Sequence, residues 1–305
     1  MLAQQLQPRG IIMKLATMTR NVALLAASVL SVTLLGSPAL SQTLKEKVAS
    51  EGKLTIGVYN AWPDGFVKDG EIAGTQPEIL REVAKSLGLK TIEFQAMDFG
   101  ALIPSLMAKR IDVIAGGMYV TPNRCKQVAF SNPVGGPRGN AILVKAGNPL
   151  SIHSYQDMAE NSKIRVGNLR GAASLEYMAA AGVPKERIQL FPDHPTGLAA
   201  LLAGRVDMLI NASGAIVGSL RDPNVKGLER AEPFKEVVDG KEMIHYSSFA
   251  FRPEDKEFRD LIDQSLTEKN REGVVAKTIM SYGFPERDAT PTGVTAKELC
   301  GSDYH

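Results

Sequence analysis

Between residues 54 and 210 the chain twice lays down the same alternation of short β-rich runs and amphipathic helices, which limits it to α/β architectures with largely parallel strands. In the first unit, residues 54–59 read as a strand that ends in a Pro/Gly-rich loop carrying Trp62, Asp64 and Phe66. Thr75 is expected to cap the next helix, with Glu78 completing a capping box and Pro77 in the first turn. Ile79, Leu80, Val83, Ala84 and Leu87 form its apolar stripe, and Gly88 ends it. Residues 92–96 are a second strand, Leu102, Ile103, Leu106 and Met107 mark a helix, and residues 111–115 make a buried-type strand.

The pattern restarts after Pro149. Strands are expected at 163–167, 188–191 and 206–210, with Ser174 capping a helix that runs to Ala181 and a further helix at 196–202. Two similar units predict two lobes. The extended segments 141–144 and 247–251 lie between the units, and Pro253 opens a helix with Phe258, Leu261, Ile262 and Leu266 on one face. If both segments are crossovers, lobe one is discontinuous (42–140 and 249–305) and lobe two is an insertion (141–248). A ligand would then sit in the cleft at the C-terminal ends of strands, trapped by lobe closure.

The N-terminus predicts export. Lys14 and Arg20 supply a positive segment, residues 22–35 are apolar, Pro38 breaks the run, and Ala39 and Ser41 are small residues placed for cleavage before Gln42. Residues 1–41 are therefore read as a signal peptide, with 1–12 as an upstream extension, because Met13 begins a complete signal by itself. The alternative, a membrane anchor, needs roughly 20 apolar residues, more than this run offers. In an exported chain Cys125 and Cys300 read as one disulfide tying the tail to lobe one, with two unpaired thiols as the alternative. A net charge of +2 without a basic cluster argues against nucleic acid as a partner. The scattered His153, His194, His245 and His305 form no metal or nucleophile pattern, so neither a metal nor a cofactor is expected.

Residues 116–133 carry Gly117, Tyr119, Thr121, Pro122 and Arg124 in a Thr-Pro-x-Arg motif. The segment resembles the polar amino-acid family of ABC-transporter substrate-binding proteins, and the likeness runs from about Leu54 to the C-terminus. Within that family, residues 119–126 and Leu299-Cys300 are most similar to ectoine- and hydroxyectoine-binding proteins. The resemblance implies a two-lobed periplasmic-binding-protein fold with two crossover strands as the hinge, and a non-enzymatic, periplasmic, monomeric chain. Its expected partners are a small ligand and the transmembrane permease subunits, on which both lobes dock. It assigns Arg124 to a ligand carboxylate, for which a guanidinium offers a planar fork. Gly117 matches a position whose carbonyl faces a ligand cation. Phe99 and Tyr119 match positions whose aromatic faces surround it. Gly171, Ala173 and Ser174 match the lobe-two clamp.

Two departures bear on the ligand. α-Amino-acid binders of the family usually carry an Asp where this chain has Ala212, preceded here by Asn211. Ectoine binders present an acid where this chain has Ala61 and an aromatic where it has Asp64, so Trp62, Asp64 and Phe66 are expected to rebuild that wall. Arg138 and Asn140 add polarity near the crossover. The expected ligand is a carboxylate-bearing zwitterion with a delocalised or alkylated cation, ectoine-like or an amino-acid derivative. A cyclohexadienyl-type dehydratase on the same fold and a ligand-sensing partner of a membrane receptor are the alternatives.

Overall fold

The structure is a computed structural model that describes residues 42–238, 240–289 and 293–305. The expected signal peptide and its upstream extension lie outside the described residues. Among the described residues no helix is long and apolar enough to cross a membrane.

The first part of the chain supplies β1 (Lys53–Val58), the hairpin β2 (Phe66–Lys68) and β3 (Glu71–Ala73), β4 (Thr91–Ala96), β5 (Val113–Ile114) and β6 (Ala129–Phe130). Then come β7 (Asn140–Lys145), β8 (Val166–Leu169), β9 (Ile188–Phe191), β10 (Met208–Ala212), β11 (Leu228–Arg230), the hairpin β12 (Val237–Val238) and β13 (Lys241–Glu242), and finally β14 (Ala250–Phe251). Two five-stranded sheets result, in the orders β4-β1-β5-β14-β6 and β11-β7-β10-β8-β9. In the first, β4 and β5 flank β1 in parallel, while β14 returns late in the chain to pair antiparallel with β5 and β6. In the second, β10, β8 and β9 are parallel and β7 runs against β10 and β11. The fold is thus two α/β lobes, each with one antiparallel strand supplied by a connection from the other lobe.

Apolar strand runs explain both cores. Leu54, Ile56 and Val58 meet Ile79, Leu80 and Val83 of the helix Thr75–Ser86, and Phe258, Ile262 and Leu266 of the helix Lys256–Arg271. The opposite face of that sheet packs on Leu102 and Leu106 of the helix Leu102–Met107. Lobe two repeats the sandwich, with Ile142, Val144, Val166, Met208 and Ile210 on one side and Leu143, Leu201, Leu209 and Ile216 on the other. A disulfide joins Cys125 to Cys300, with Cα atoms 5.5 Å apart, and ties the helix Ala296–Cys300 to the short helix Pro122–Cys125. The two connections between lobes are bonded to each other. Arg138 N–H donates to the His245 carbonyl at 2.7 Å, and His245 N–H donates back to Arg138 at 2.9 Å.

Two expected helix caps are corrected. Thr75 lies inside its helix and Gly74, at φ +131°, is the N-cap. The Thr75 hydroxyl instead donates to Asp64 Oδ1 at 3.1 Å, and the Glu78 carboxylate accepts from the Tyr282 hydroxyl. Ser174 is likewise the first helical residue, after Ala173, because its hydroxyl is drawn to Asn168. In both cases a nearby side chain outside the helix outcompetes the amide that a cap would satisfy. The third expected strand also shortens, to Val113–Ile114.

Candidate functional site

The first-sheet strands β1 and β5 and the second-sheet strands β8 and β10 end at one cavity between the lobes. Its wall comprises Tyr59, Phe99, Gly117, Tyr119, Arg124, Asn140, Leu169, Ala172, Ala173, Ser174, Asn211 and Ala212. The space open to the centre of a water-sized sphere is about 30 Å3. A water needs roughly 10–15 Å3, so the chamber in this structure is small.

Arg124 is the charged residue of this wall. Thr121 caps the helix Pro122–Cys125 by accepting from Arg124 N–H, and the disulfide at Cys125 fixes the helix from behind. Arg124 as a whole is 7% exposed. It donates to the Tyr119 carbonyl at 2.7 Å, and across the cleft to the Gly171 carbonyl at 3.0 Å. It also lies over the Phe99 ring, 5.3 Å from its centroid. Burial lowers its pKa to about 10, opposed by the charge of Glu176 and by nearby tyrosines, so it remains cationic at neutral pH. Two of its five donors are used by these carbonyls, leaving a planar set for a carboxylate.

Aromatic faces surround it. Tyr59 meets Phe99 edge-on at 4.9 Å. Tyr119 stacks on His245 at 4.6 Å, and His245 stacks in turn on Tyr177 of lobe two at 5.6 Å. The Tyr119 hydroxyl donates to the Gly139 carbonyl at 3.1 Å. Burial raises the pKa of both Tyr59 and Tyr119, so these phenols are neutral donors.

Carboxylates stand behind the wall rather than in it. Glu236 accepts from Asn140 Nδ2 at 2.5 Å and from the Tyr155 hydroxyl at 2.7 Å, and its Oε2 lies 3.1 Å from His245 Nε2. Burial alone would raise its pKa, but the His245 contact and these hydrogen bonds hold it below the usual carboxylate range. Asp64 is 2% exposed and pairs with Arg138 Nη1 at 3.4 Å. Its Oδ2 lies 2.6 Å from where a Cβ on Gly117 would stand, and Gly117 has φ +77°, so a side chain there is barred twice.

Of the sequence-expected site residues, the structure brings Arg124, Tyr119, Phe99, Gly117, Ala173, Ser174 and Asn211 to the wall. Trp62, Asp64, Phe66, Thr121 and Gly171 are not on it. Thr121 caps the arginine helix, and Gly171 supplies the carbonyl that meets Arg124. Asp64 is withdrawn onto Arg138 and Thr75. Phe66 turns edge-on to Tyr282. Trp62 stacks on Phe284 at 5.5 Å, lies under the Arg221 guanidinium, and reaches Gly218 on the lobe-two helix Ser213–Arg221. Its neighbour Pro63 reaches Gly214 on the same helix. The wall residues not anticipated are Tyr59 and Leu169, whereas Ala172 lies in the expected 171–174 clamp segment. Tyr59 directly follows β1 and Leu169 ends β8, so the rule that ligands meet carboxyl ends of strands could have found them.

Comparison with known proteins bears on the family and the fold. The family described as bacterial extracellular solute-binding proteins, family 3, matches residues 54–285. A probable amino-acid ABC transporter periplasmic-binding protein, y4tE of Sinorhizobium fredii, is 34% identical over 281 residues, covering 90% of this chain and 92% of its own. The crystal structure of EhuB in complex with hydroxyectoine is 32% identical, with a TM-score of 0.76, covering 84% of this chain and 97% of EhuB. An ancestral arginine-binding protein bound to arginine is 28% identical, with a TM-score of 0.65, covering 76% and 98%. A match across most of the chain, on the same two-lobed fold, places it in a family: the chain belongs to the family 3 bacterial extracellular solute-binding proteins.

Proposed function

We propose that this chain is the periplasmic solute-binding subunit of an ABC importer and captures a small carboxylate-bearing zwitterion, ectoine-like or an amino-acid derivative with a delocalised cation. The observation that carries the reading is the charge content of the wall. Arg124 supplies one fixed positive charge, and no carboxylate stands beside it among the described wall residues. A ligand carboxylate meets the guanidinium. The ligand cation meets the faces of Tyr59, Phe99 and Tyr119 and the amides of Asn140 and Asn211. A primary ammonium placed there would lack a charged partner, whereas a delocalised cation is well served by aromatic faces, at about 0.5–2 kcal/mol each. EhuB holds hydroxyectoine and the ancestral protein holds arginine. Hydroxyectoine joins a carboxylate to an amidinium-type cation and supports this class, whereas arginine also carries a primary α-ammonium and does not bear on it.

The lobes are proposed to divide near 140/141 and 248/249, with closure presenting both to the permease. Export through a cleaved signal predicts a mature N-terminus at Gln42, read by mass spectrometry. Calorimetry of the mature protein against ectoine, hydroxyectoine, glycine betaine, arginine, glutamine and lysine tests the ligand class. Binding of the ectoines is expected. Tight binding of glutamine or lysine with no response to the others would refute the argument from the missing carboxylate.

A further inference from the structure

Asn211 is 6% exposed at the end of β10, and a directed chain of hydrogen bonds runs from it away from the cavity. The Ala212 N–H donates to Asn211 Oδ1 at 2.7 Å. A backbone N–H has only a proton to offer, so that atom must be the oxygen and the other amide atom the nitrogen. Asn211 Nδ2 lies 2.9 Å from His194 Nδ1, which must therefore accept. His194 Nε2 then carries the proton and donates to Ser219 Oγ at 2.6 Å, and Ser219 passes its own proton to the Ala215 carbonyl at 3.1 Å. The assignment closes only with a neutral imidazole. Burial is consistent with this: it pushes His194 down to about 4 against the opposing charge of Asp193. Turning the amide over would set donor against donor at Ala212 and acceptor against acceptor at His194.

We infer that His194 is a positioning residue that locks the Asn211 amide with its oxygen toward the cavity, so that the site favours a ligand cation bearing N–H donors over a fully alkylated one. The oxygen end is bonded to Ala212, itself a wall residue, while the nitrogen end is turned to His194, which is not on the wall. Oδ1 keeps a second lone pair for a ligand N–H. A neutral acceptor of this kind suits an amidinium or guanidinium, and it offers nothing to a trimethylammonium group. This selectivity rests on the zwitterion reading above, whereas the lock itself does not.

Two measurements separate them. In the wild-type protein at pH 7, imidazole nitrogen NMR is expected to show His194 protonated at Nε2 and bare at Nδ1. A charged ring or the opposite tautomer would overturn the lock, whatever the protein binds. Calorimetry then compares ectoine with glycine betaine in His194→Leu and His194→Gln. Leucine removes the acceptor and is expected to weaken ectoine by roughly five- to 150-fold, the range for a buried polar group left unpaired. Glutamine accepts with its oxygen, donates with its nitrogen, and is expected to restore most of the affinity. Equal losses for ectoine and betaine in His194→Leu, or no rescue by glutamine, would reduce His194 to a structural role. If the wild type binds neither compound, the zwitterion reading fails while the NMR result still decides the lock.

Discussion

Gly218→Ala separates closure from ligand contact. Gly218 sits within the helix Ser213–Arg221 of lobe two, and a Cβ there would stand 2.6 Å from Trp62 Cε3, 3.1 Å from Cδ2 and 3.3 Å from Cβ. The indole has little room to retreat, because Phe284 stacks on it and the Arg221 guanidinium covers it at 5.1 Å. Arg221 is itself held by the Tyr282 and Gly283 carbonyls at 3.0 and 3.3 Å. Trp62 belongs to lobe one, so the added methyl meets it only when the lobes are shut. Overpacking of this kind costs about 1–3 kcal/mol. Because ligand binding is coupled to closure, that cost passes into the apparent dissociation constant as a rise of roughly five- to 150-fold. Within the helix the same change is favourable by about 1 kcal/mol, since alanine is the better helix former. The ligand-free melting temperature should therefore hold or rise while affinity falls. The chain has one tryptophan, so its fluorescence reports the docking directly: the wild type should show a ligand-dependent emission shift, and the variant a smaller one. Wild-type affinity with an unchanged emission shift in Gly218→Ala would refute the reasoning.

Other perturbations test other parts of the site. Arg124→Ala should lose roughly tenfold to 150-fold in affinity, the range for hydrogen bonds to a charged group, with the ligand-free denaturant midpoint little changed; titration calorimetry and urea melts decide it. The Asp263 carboxyl is raised to about 7, chiefly by burial, and accepts from the Asn132 N–H. The folded state then holds a proton that the unfolded chain has released, so this group makes stability fall as pH rises from about 4 to 7. Asp263→Asn should raise the denaturant midpoint at pH 8 and match the wild type at pH 4. Glu236 has the opposite sign. Its depressed pKa stabilises the fold above the ordinary carboxylate range, and that contribution is lost as pH falls through the folded value, so Glu236→Gln should flatten the acid limb of the stability curve. Replacing both cysteines by serine should cost about 5 kcal/mol on the chain-entropy estimate for a loop of this length, measured by chemical unfolding.

The alternation of strands and helices was legible because apolar runs of the right length have few other uses. Arg124 was picked out by the resemblance of its Thr-Pro-x-Arg segment to a family motif, and the structure adds the short Thr121-capped helix that carries it. The caps at Thr75 and Ser174 were misread for one reason: a hydroxyl can satisfy either an amide of its own helix or another side chain, and here Asp64 and Asn168, 11 and 6 positions before them, take it. Trp62 shows the same limit. An aromatic beside a cleft can face the ligand or the other lobe, and the deciding residues, Gly214 and Gly218, lie about 150 positions away. Asp64 looked like a cation partner until the fold brought it to Arg138, 74 positions further on. Short-range pattern specifies the elements, whereas the assignment of polar groups to ligand or scaffold depends on pairings of long sequence separation.

The bridge at Cys125 also bears on when the molecule becomes competent. The residue beside Arg124 takes its covalent partner from 175 positions downstream, beyond the whole of lobe two. On the proposed export route, a chain that leaves a translocation channel N-terminus first presents Arg124 long before that anchor exists. On that route the helix carrying Arg124 would be fastened only after both lobes have left the channel and met an oxidising milieu. The proposed carboxylate clamp would thus be the last part of the site to gain its covalent support.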